Sequence, residues 1–592
     1  MKNKTKKSLP DFMRTYWSDD RRFVVLCLIG GLLCGIVAVL FHLTIHHLFH
    51  WIWHEASTRP PGQFIALMLL APTLAGLLVG LAVHHFSPDA ARSGIPQTKA
   101  AYYNKGGKIS SCTGLWRFGL GALYVGLGNS LGREGPTVHI STAITSRIGR
   151  WAFNDPARVQ SMAPVGMAAG IAAAFNAPLS ALTFVFEELL DDFSMKALGG
   201  MVVAVVIAAA VSRTLLGEDP VLAAKIAVDY KTSAWMLVAL PLGVAAGIVG
   251  HLFVRSNLIL RSWCSERRWL PLWIRPATGG LSCGILGLIA YHFTAENSVF
   301  SIGYGSLEQA FTNTLSIQII AILLGLKFLA VVINYATGGS GGLFSPTLFL
   351  GGMLGALIGA GLANIHHLGE WIPQFPTDTK VIGGCVLLGM GAMFAAVIRC
   401  PFTSLIIIFE MTGNYSLILP LMAGNMLAWH ISRRLQPISI YNALLLQDGI
   451  SLRSMPAYRG AQDYRKLPVQ TIMTHDTFTL SSEETLATAL KRINTENAVF
   501  HAYPVITPEG TLAGVITRHE LSEHPEDDLV QKLVTDQNTL TVSTDTSLRD
   551  AANQMIARDF QQVPVVSPTD PKKLLGWLTS NDIARQQNAA EA

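Results

Sequence analysis

The chain runs to 592 residues, half of them hydrophobic and only 14% charged, with a formal net charge of +5. Soluble domains carry about 25% charged residues, so a wholly soluble protein is excluded, and so small a charge excess excludes a nucleic-acid-binding surface. The seven cysteines form no close CxxC pair, which excludes a zinc knuckle or a disulfide framework and leaves small, buried apolar residues.

Lys2, Lys4, Lys6, Lys7, Arg14, Arg21 and Arg22 precede the first long apolar run, Phe23 to Phe49. The positive-inside rule puts this end in the cytoplasm, and the run is too long for a signal-peptide core, so it reads as an uncleaved first span. His42, His46, His50 and His54 recur every four residues and fall on one helical stripe, with Trp51 and Trp53 among them. The stripe is either an interfacial belt or a transition-metal site.

Apolar segments follow at approximately 23–49, 63–85, 113–131, 136–151, 160–174, 178–190, 198–216, 234–255, 272–294, 316–335, 343–364, 379–397, 401–412 and 415–432. Several are too short to cross roughly 30 Å of hydrocarbon as straight helices. Short segments broken by Gly and Pro, in corresponding places of two halves, point to a binding site at mid-membrane.

The halves can be read directly. Pro178 to Glu187 and Pro401 to Glu410 both spell P-x-x-x-L-x-x-x-F-E, and each follows a Gly-rich turn ending in proline, Gly132 to Pro136 and Gly342 to Pro346. Two matches in the same order predict an internal repeat. The fold expected is an all-α polytopic membrane protein of two inverted-topology repeats with short, broken helices.

Gly132-Arg133-Glu134-Gly135-Pro136 sets an acid within a stretch apolar enough for a bilayer. Such an acid is costly there and marks an ion or proton path. Its turn also starts a helix, whose free N–H groups and positive end form an anion site for which the carboxylate can compete. Ser93-Gly94-Ile95-Pro96 is a further helix start, with a hydroxyl donor. Several weak donors suit an anion that must leave again.

After a linker at 447–468 the chain turns charged and duplicates itself: Leu486, Pro504 and Gly514-Val515-Ile516-Thr517 recur as Leu548, Pro564 and Gly576-Trp577-Leu578-Thr579. Each copy predicts a helix, a strand, a polar turn, a second strand and an acid-bearing helix start, an α/β tail.

Ser93 to Pro96, Gly132 to Pro136, Gly342 to Pro346 and Phe175-Asn176-Ala177-Pro178 resemble the signature elements of the CLC chloride channel and transporter family, over nearly the whole chain. The C-terminal duplication resembles a tandem CBS pair, 469–526 and 527–588, behind a transmembrane domain at 23–446 and a cytoplasmic segment at 1–22. The resemblance implies a homodimer in a bacterial inner membrane, with both termini cytoplasmic and an anion path in each subunit. Ser93 and Tyr441, of the weak motif Ser439-Ile440-Tyr441-Asn442, would offer hydroxyls to a central chloride, and Leu343 and Phe344 their backbone N–H groups. Glu134 would be the external gating glutamate. Glu188 fits the exchanger pattern as internal proton acceptor, where many channels carry an apolar residue; Glu187 takes a supporting role like its repeat partner Glu410.

The resemblance thus implies a chloride/proton exchanger that needs no cofactor, the alternative being a passive chloride channel in which Glu187 and Glu188 only pair with basic groups. An intramembrane enzyme is disfavoured by the lack of a nucleophile or HExxH motif beside Glu134 and Glu188. Arg92 departs from the family's usual glycine, while Ser93 fits the chloride-preferring pattern. Arg117 and Arg133 either attract anions or pair structurally. In the CBS pair, Thr579 and Asp582 resemble a contact to the phosphate and ribose of an adenine nucleotide (ATP or AMP); the other reading is a purely structural, dimerising pair.

Overall fold

Proline marks helix starts because its missing N–H costs nothing in a first turn, whose N–H groups have no intrahelical partner. The computed structural model follows this rule: Pro178–Phe184 and Pro401–Thr412 start on proline, Ile95–Asn104 carries it second, and Glu134–Ala152 and Phe344–Ala363 carry it third. The structure describes residues 17–190, 198–217, 234–266, 271–364, 380–413, 418–450, 452, 465, 467–495, 498, 500–534 and 539–591. Most of the expected linker and of the basic N-terminal segment lies outside them. The chain divides into two units, residues 1–450 and 451–592.

Among the described residues of the first unit, six helices are long and apolar enough to cross a membrane. The repeat is visible in their packing. Asp19–Ser57 packs on Pro156–Phe175 and Leu198–Leu216, and Ala234–Glu266 packs in the same way on Lys380–Val397 and Ile418–Leu435. Where the halves meet, Gly132 and Gly342 form an antiparallel bridge with reciprocal hydrogen bonds of 2.7 and 2.6 Å.

A second reciprocal contact explains the P-x-x-x-L-x-x-x-F-E repeat. The Glu187 carboxylate accepts from the N–H groups of Phe402 (3.1 Å) and Thr403 (2.7 Å) and from the Thr403 hydroxyl (2.6 Å). Glu410 does the same for Leu179 N–H (2.8 Å), Ser180 N–H (2.7 Å) and the Ser180 hydroxyl. Each repeat's acid thus caps the other's short helix, satisfying donors that proline-started helices leave open. Such mutual capping is what inverted halves related by a twofold require.

Two expectations change. The first helix is longer than 23–49, running Asp19–Ser57, so all four stripe histidines sit on one helix, with ring centroids 6.2–6.3 Å apart. Among the described residues no group of three His, Cys, Asp or Glu side chains could hold a metal. Three short helices were absent from the apolar segments: Ile95–Asn104, Tyr304–Phe311 and Ile440–Gln447. Their low or brief apolarity hid them; the protein interior buries one side of each.

Among its described residues the second unit holds two three-stranded sheets. In the first, β1 (Leu480–Ser481) runs parallel to β2 (Ala502–Ile506), which is antiparallel to β3 (Leu512–Thr517); the second repeats this with β4 (Val542–Ser543), β5 (Gln562–Val566) and β6 (Leu574–Thr579). The register repeats too, with Pro504 opposite Val515, Pro564 opposite Trp577, and a bulge after Val505 and after Val565. The copies also exchange their leading segments. Leu467, Val469, Ile472 and Met473 join the core of the second copy, and Val530 joins that of the first.

Candidate functional site

Both halves build a turn of the same shape ahead of a short helix. In the first, Arg92 (φ +64°) and Gly94 (φ +92°) flank Ser93; in the second, Ser301 (φ +51°) and Gly303 (φ +89°) flank Ile302. The left-handed backbone at Arg92 is a conformation glycine adopts without strain, which is the physical reason glycine suits that place. Each turn is held by one buried cation. Arg117 donates to the carbonyls of Arg92 (2.8 Å) and Asp89, and Lys327 donates to those of Ser298 (2.9 Å), Val299 (3.3 Å) and Ser301 (2.7 Å). Arg117 is therefore a structural clamp; Arg133 donates to Ala174 O at 3.0 Å and lies beside the Glu134 carboxylate, with Nε and Nη1 lacking a hydrogen-bond partner among the described residues. Nothing in the sequence around Lys327 marks it; it holds the second turn as Arg117 holds the first.

The halves differ in what the turn presents. The first offers Ser93, fully buried, whose Oγ has no hydrogen-bond partner among the described residues; the second offers an isoleucine. The Tyr441 hydroxyl is likewise buried and unpartnered among them. Ile440–Gln447 packs on Ile95–Asn104, the helix that the Ser93-Gly94 turn starts. The Tyr441 phenol lies within electrostatic reach of both Glu134 and Glu188. A buried hydroxyl without a partner is costly, so two of them in one region call for a group that accepts hydrogen bonds.

The carboxylate of Glu134, only 1% exposed, accepts from the Ser345 hydroxyl and from Ser345 N–H at 3.3 Å, with the Arg133 Nε 3.7 Å away. Tyr304 OH meets the Ser345 hydroxyl at 2.7 Å. The acid thus lies against the first turn of Phe344–Ala363, contributed by a residue 211 positions away, rather than against its own helix start. Gly132 permits this, since a Cβ there would sit 2.6 Å from Glu134 Oε2. Phe344, the first residue of that helix, is wedged between Phe175 (4.6 Å), Phe184 (5.6 Å) and Phe394 (4.4 Å between ring centroids), which fixes the direction of its N–H groups.

Gly135 leaves no room for a side chain, because a Cβ would clash with both the carbonyl oxygen and Oγ of Ser93. Gly135→Ala is therefore expected to cost about 1–3 kcal/mol of overpacking and to displace the hydroxyl. The check is thermal unfolding in detergent; wild-type stability in the variant would refute the close packing.

Glu188 lies on a π-helical stretch, Val185–Leu190, a widening often found at functional sites. Its carboxylate is buried, 3.2 Å from Lys99 Nζ and 4.0 Å from Cys400 Sγ. Glu187, beside it, faces the Pro401–Thr412 cap. His139 went unnoticed in the sequence: it is buried five residues after Glu134, its Nδ1 3.1 Å from Thr98 Oγ1, its Nε2 unpartnered among the described residues. A polar residue in the helix after the glutamate was the only available signal.

In the tail, Asp582 accepts from Thr579 N–H (3.0 Å) and Oγ1 (2.8 Å), capping the helix Ser580–Glu591. Burial pushes its carboxyl above the usual aspartate value. Thr517 and Glu520 repeat the arrangement at 2.7 Å in the first copy.

A model of the voltage-gated chloride channel family matches residues 75–433, and the CBS domain model matches 469–527 and 530–588. The chain belongs to the CLC family. Among its CLC relatives, the H(+)/Cl(-) exchange transporter ClcA of Vibrio parahaemolyticus is 30% identical over 446 residues, 71% of this chain and 89% of the relative. ClcA of Vibrio vulnificus is 31% identical over 67% of this chain and 83% of its own length. In structure, a eukaryotic CLC transporter aligns with a TM-score of 0.64 at 20% identity, over 95% of this chain and 98% of that one. A slow cyanobacterial Cl-/H+ antiporter aligns at 0.64 and 24% identity, over 72% and 98%. At these identities the two structures speak for the fold. This CLC chain is a multi-pass membrane protein with a CBS tail.

Proposed function

We propose that the protein exchanges chloride for protons, with Glu134 as the protonatable gate. The observation that carries this is the Glu134 carboxylate on the first turn of Phe344–Ala363, near two hydroxyls that lack a hydrogen-bond partner among the described residues. Ionised, Glu134 imitates the transported anion at a positive helix end; protonated, it loses that attraction and withdraws. Chloride then accepts from Ser93 and Tyr441 hydroxyls and from the N–H groups of Leu343 and Phe344. Glu188 takes the proton onward toward the cytoplasm. The relatives named as H(+)/Cl(-) exchange transporters support the same activity. The unit is a homodimer in a bacterial inner membrane, both termini cytoplasmic. A liposome assay recording chloride and protons together tests it: an imposed chloride gradient should drive protons uphill.

The Lys99–Glu188 ion pair favours a second reading, a passive channel in which Glu188 is a structural partner. A reversal potential that follows chloride alone and ignores a pH gradient selects it.

The CBS pair binds an adenine nucleotide in this proposal, with Thr579 toward phosphate and Asp582 toward ribose. ATP or AMP is expected to raise the Tm of the full chain, and Asp582→Ala to remove that shift. No shift with either nucleotide leaves the pair structural.

A further inference from the structure

The buried ammonium of Lys99 stands 3.2 Å from Glu188 Oε1, with side-chain exposures of 3% and 4%. Lys99 lies on Ile95–Asn104, the helix started by the Ser93-Gly94 turn, so the anion turn and the inner acid share one rigid element. We propose that Lys99 is a positioning residue that holds Glu188 ionised and thereby sets the cytoplasmic pH range over which protons are handed on. The proposal rests on Glu188 being the inner proton acceptor.

The physics is local. A desolvated carboxylate holds its proton, and a cation within about 4–6 Å reverses that by roughly 1–3 pH units. Among the described residues, the following titratable groups lie around Glu188. Tyr103, from the same helix as Lys99, donates to Leu189 O at 2.7 Å. Cys400 stands 4.0 Å off, and the Tyr441 phenol is within electrostatic reach. Glu187 is engaged by Phe402 and Thr403. Of the helices packed against the turn, Pro178–Phe184 carries no titratable residue, and Pro156–Phe175 carries only Arg158, bound to Asp20 at 2.6 Å. Lys99 pairs with the acid directly, its ammonium 3.2 Å from Oε1.

The sign follows. Without the ammonium, Glu188 stays protonated to higher pH, so release to the cytoplasm needs a more alkaline interior. In liposomes of one orientation, the proton-coupled flux of Lys99→Met should peak at a cytoplasmic-side pH about 1–3 units higher than wild type. Lys99→Arg, which keeps the charge, should leave the profile in place. In a Glu188→Gln background Lys99→Met should not lower chloride flux below that of Glu188→Gln alone, since it removes the buried ammonium left without its carboxylate. An unshifted Lys99→Met profile, or an equal loss of chloride flux in the wild-type and Glu188→Gln backgrounds, overturns the proposal. Glu188→Gln alone retaining full coupling overturns the parent reading instead, and the two failures are separately visible.

Discussion

Glu134→Gln is expected to carry chloride while its proton movement falls by about a hundredfold or more, the scale of losing a positioned proton carrier. The amide fits the same space, so the Gly132–Gly342 bridge and the Ser345 contact can persist. What disappears is the charge. A glutamine neither competes with chloride for the positive start of Phe344–Ala363 nor takes up a proton, so opening no longer depends on protonation. Chloride efflux from liposomes should continue with little dependence on external pH, while a chloride gradient no longer drives proton uptake. Proton pumping at the wild-type rate in this variant would remove Glu134 from the mechanism.

Two neighbouring acids should behave in opposite ways. Glu188→Gln is expected to abolish proton coupling while leaving chloride flux, because an amide cannot pass a proton to the cytoplasm. Glu187→Ala is expected to keep the coupling ratio and to lower stability. It would strip three hydrogen bonds from the start of Pro401–Thr412, a loss of about 2 kcal/mol after allowing for partial exposure and non-additivity. Glu410→Ala should match it, since the two caps are reciprocal. Thermal unfolding in detergent, set beside paired chloride and proton fluxes, separates the two classes. Loss of coupling in Glu187→Ala without loss of stability would contradict the capping role.

Much of this was legible in the residues. The P-x-x-x-L-x-x-x-F-E repeat, the proline-ended glycine turns and the duplicated P-V strands are local patterns, and local pattern decides where helices and strands begin. The short helices Tyr304–Phe311 and Ile440–Gln447 were not legible as elements, and Ile95–Asn104 was legible only by its start at Ser93-Gly94-Ile95-Pro96, because a window of hydropathy registers length and apolarity and these have too little of one or both. Nor were the partners. A sequence shows that Glu134 is an acid in an apolar stretch; it does not show that Ser345 receives it. Lys327 and His139 look unremarkable in their helices until burial gives the first three carbonyls and leaves the second one nitrogen without a partner among the described residues.

By itself, then, the sequence determined the membrane class, the two repeats, the tandem tail and the proline-marked helix starts, since each follows from neighbours along the chain. The tertiary structure alone decided which helix start Glu134 occupies, which acid is a cap and which is paired with a buried lysine. Those outcomes depend on polar groups finding partners in a medium without water, and the partners lie 89 to 231 residues away.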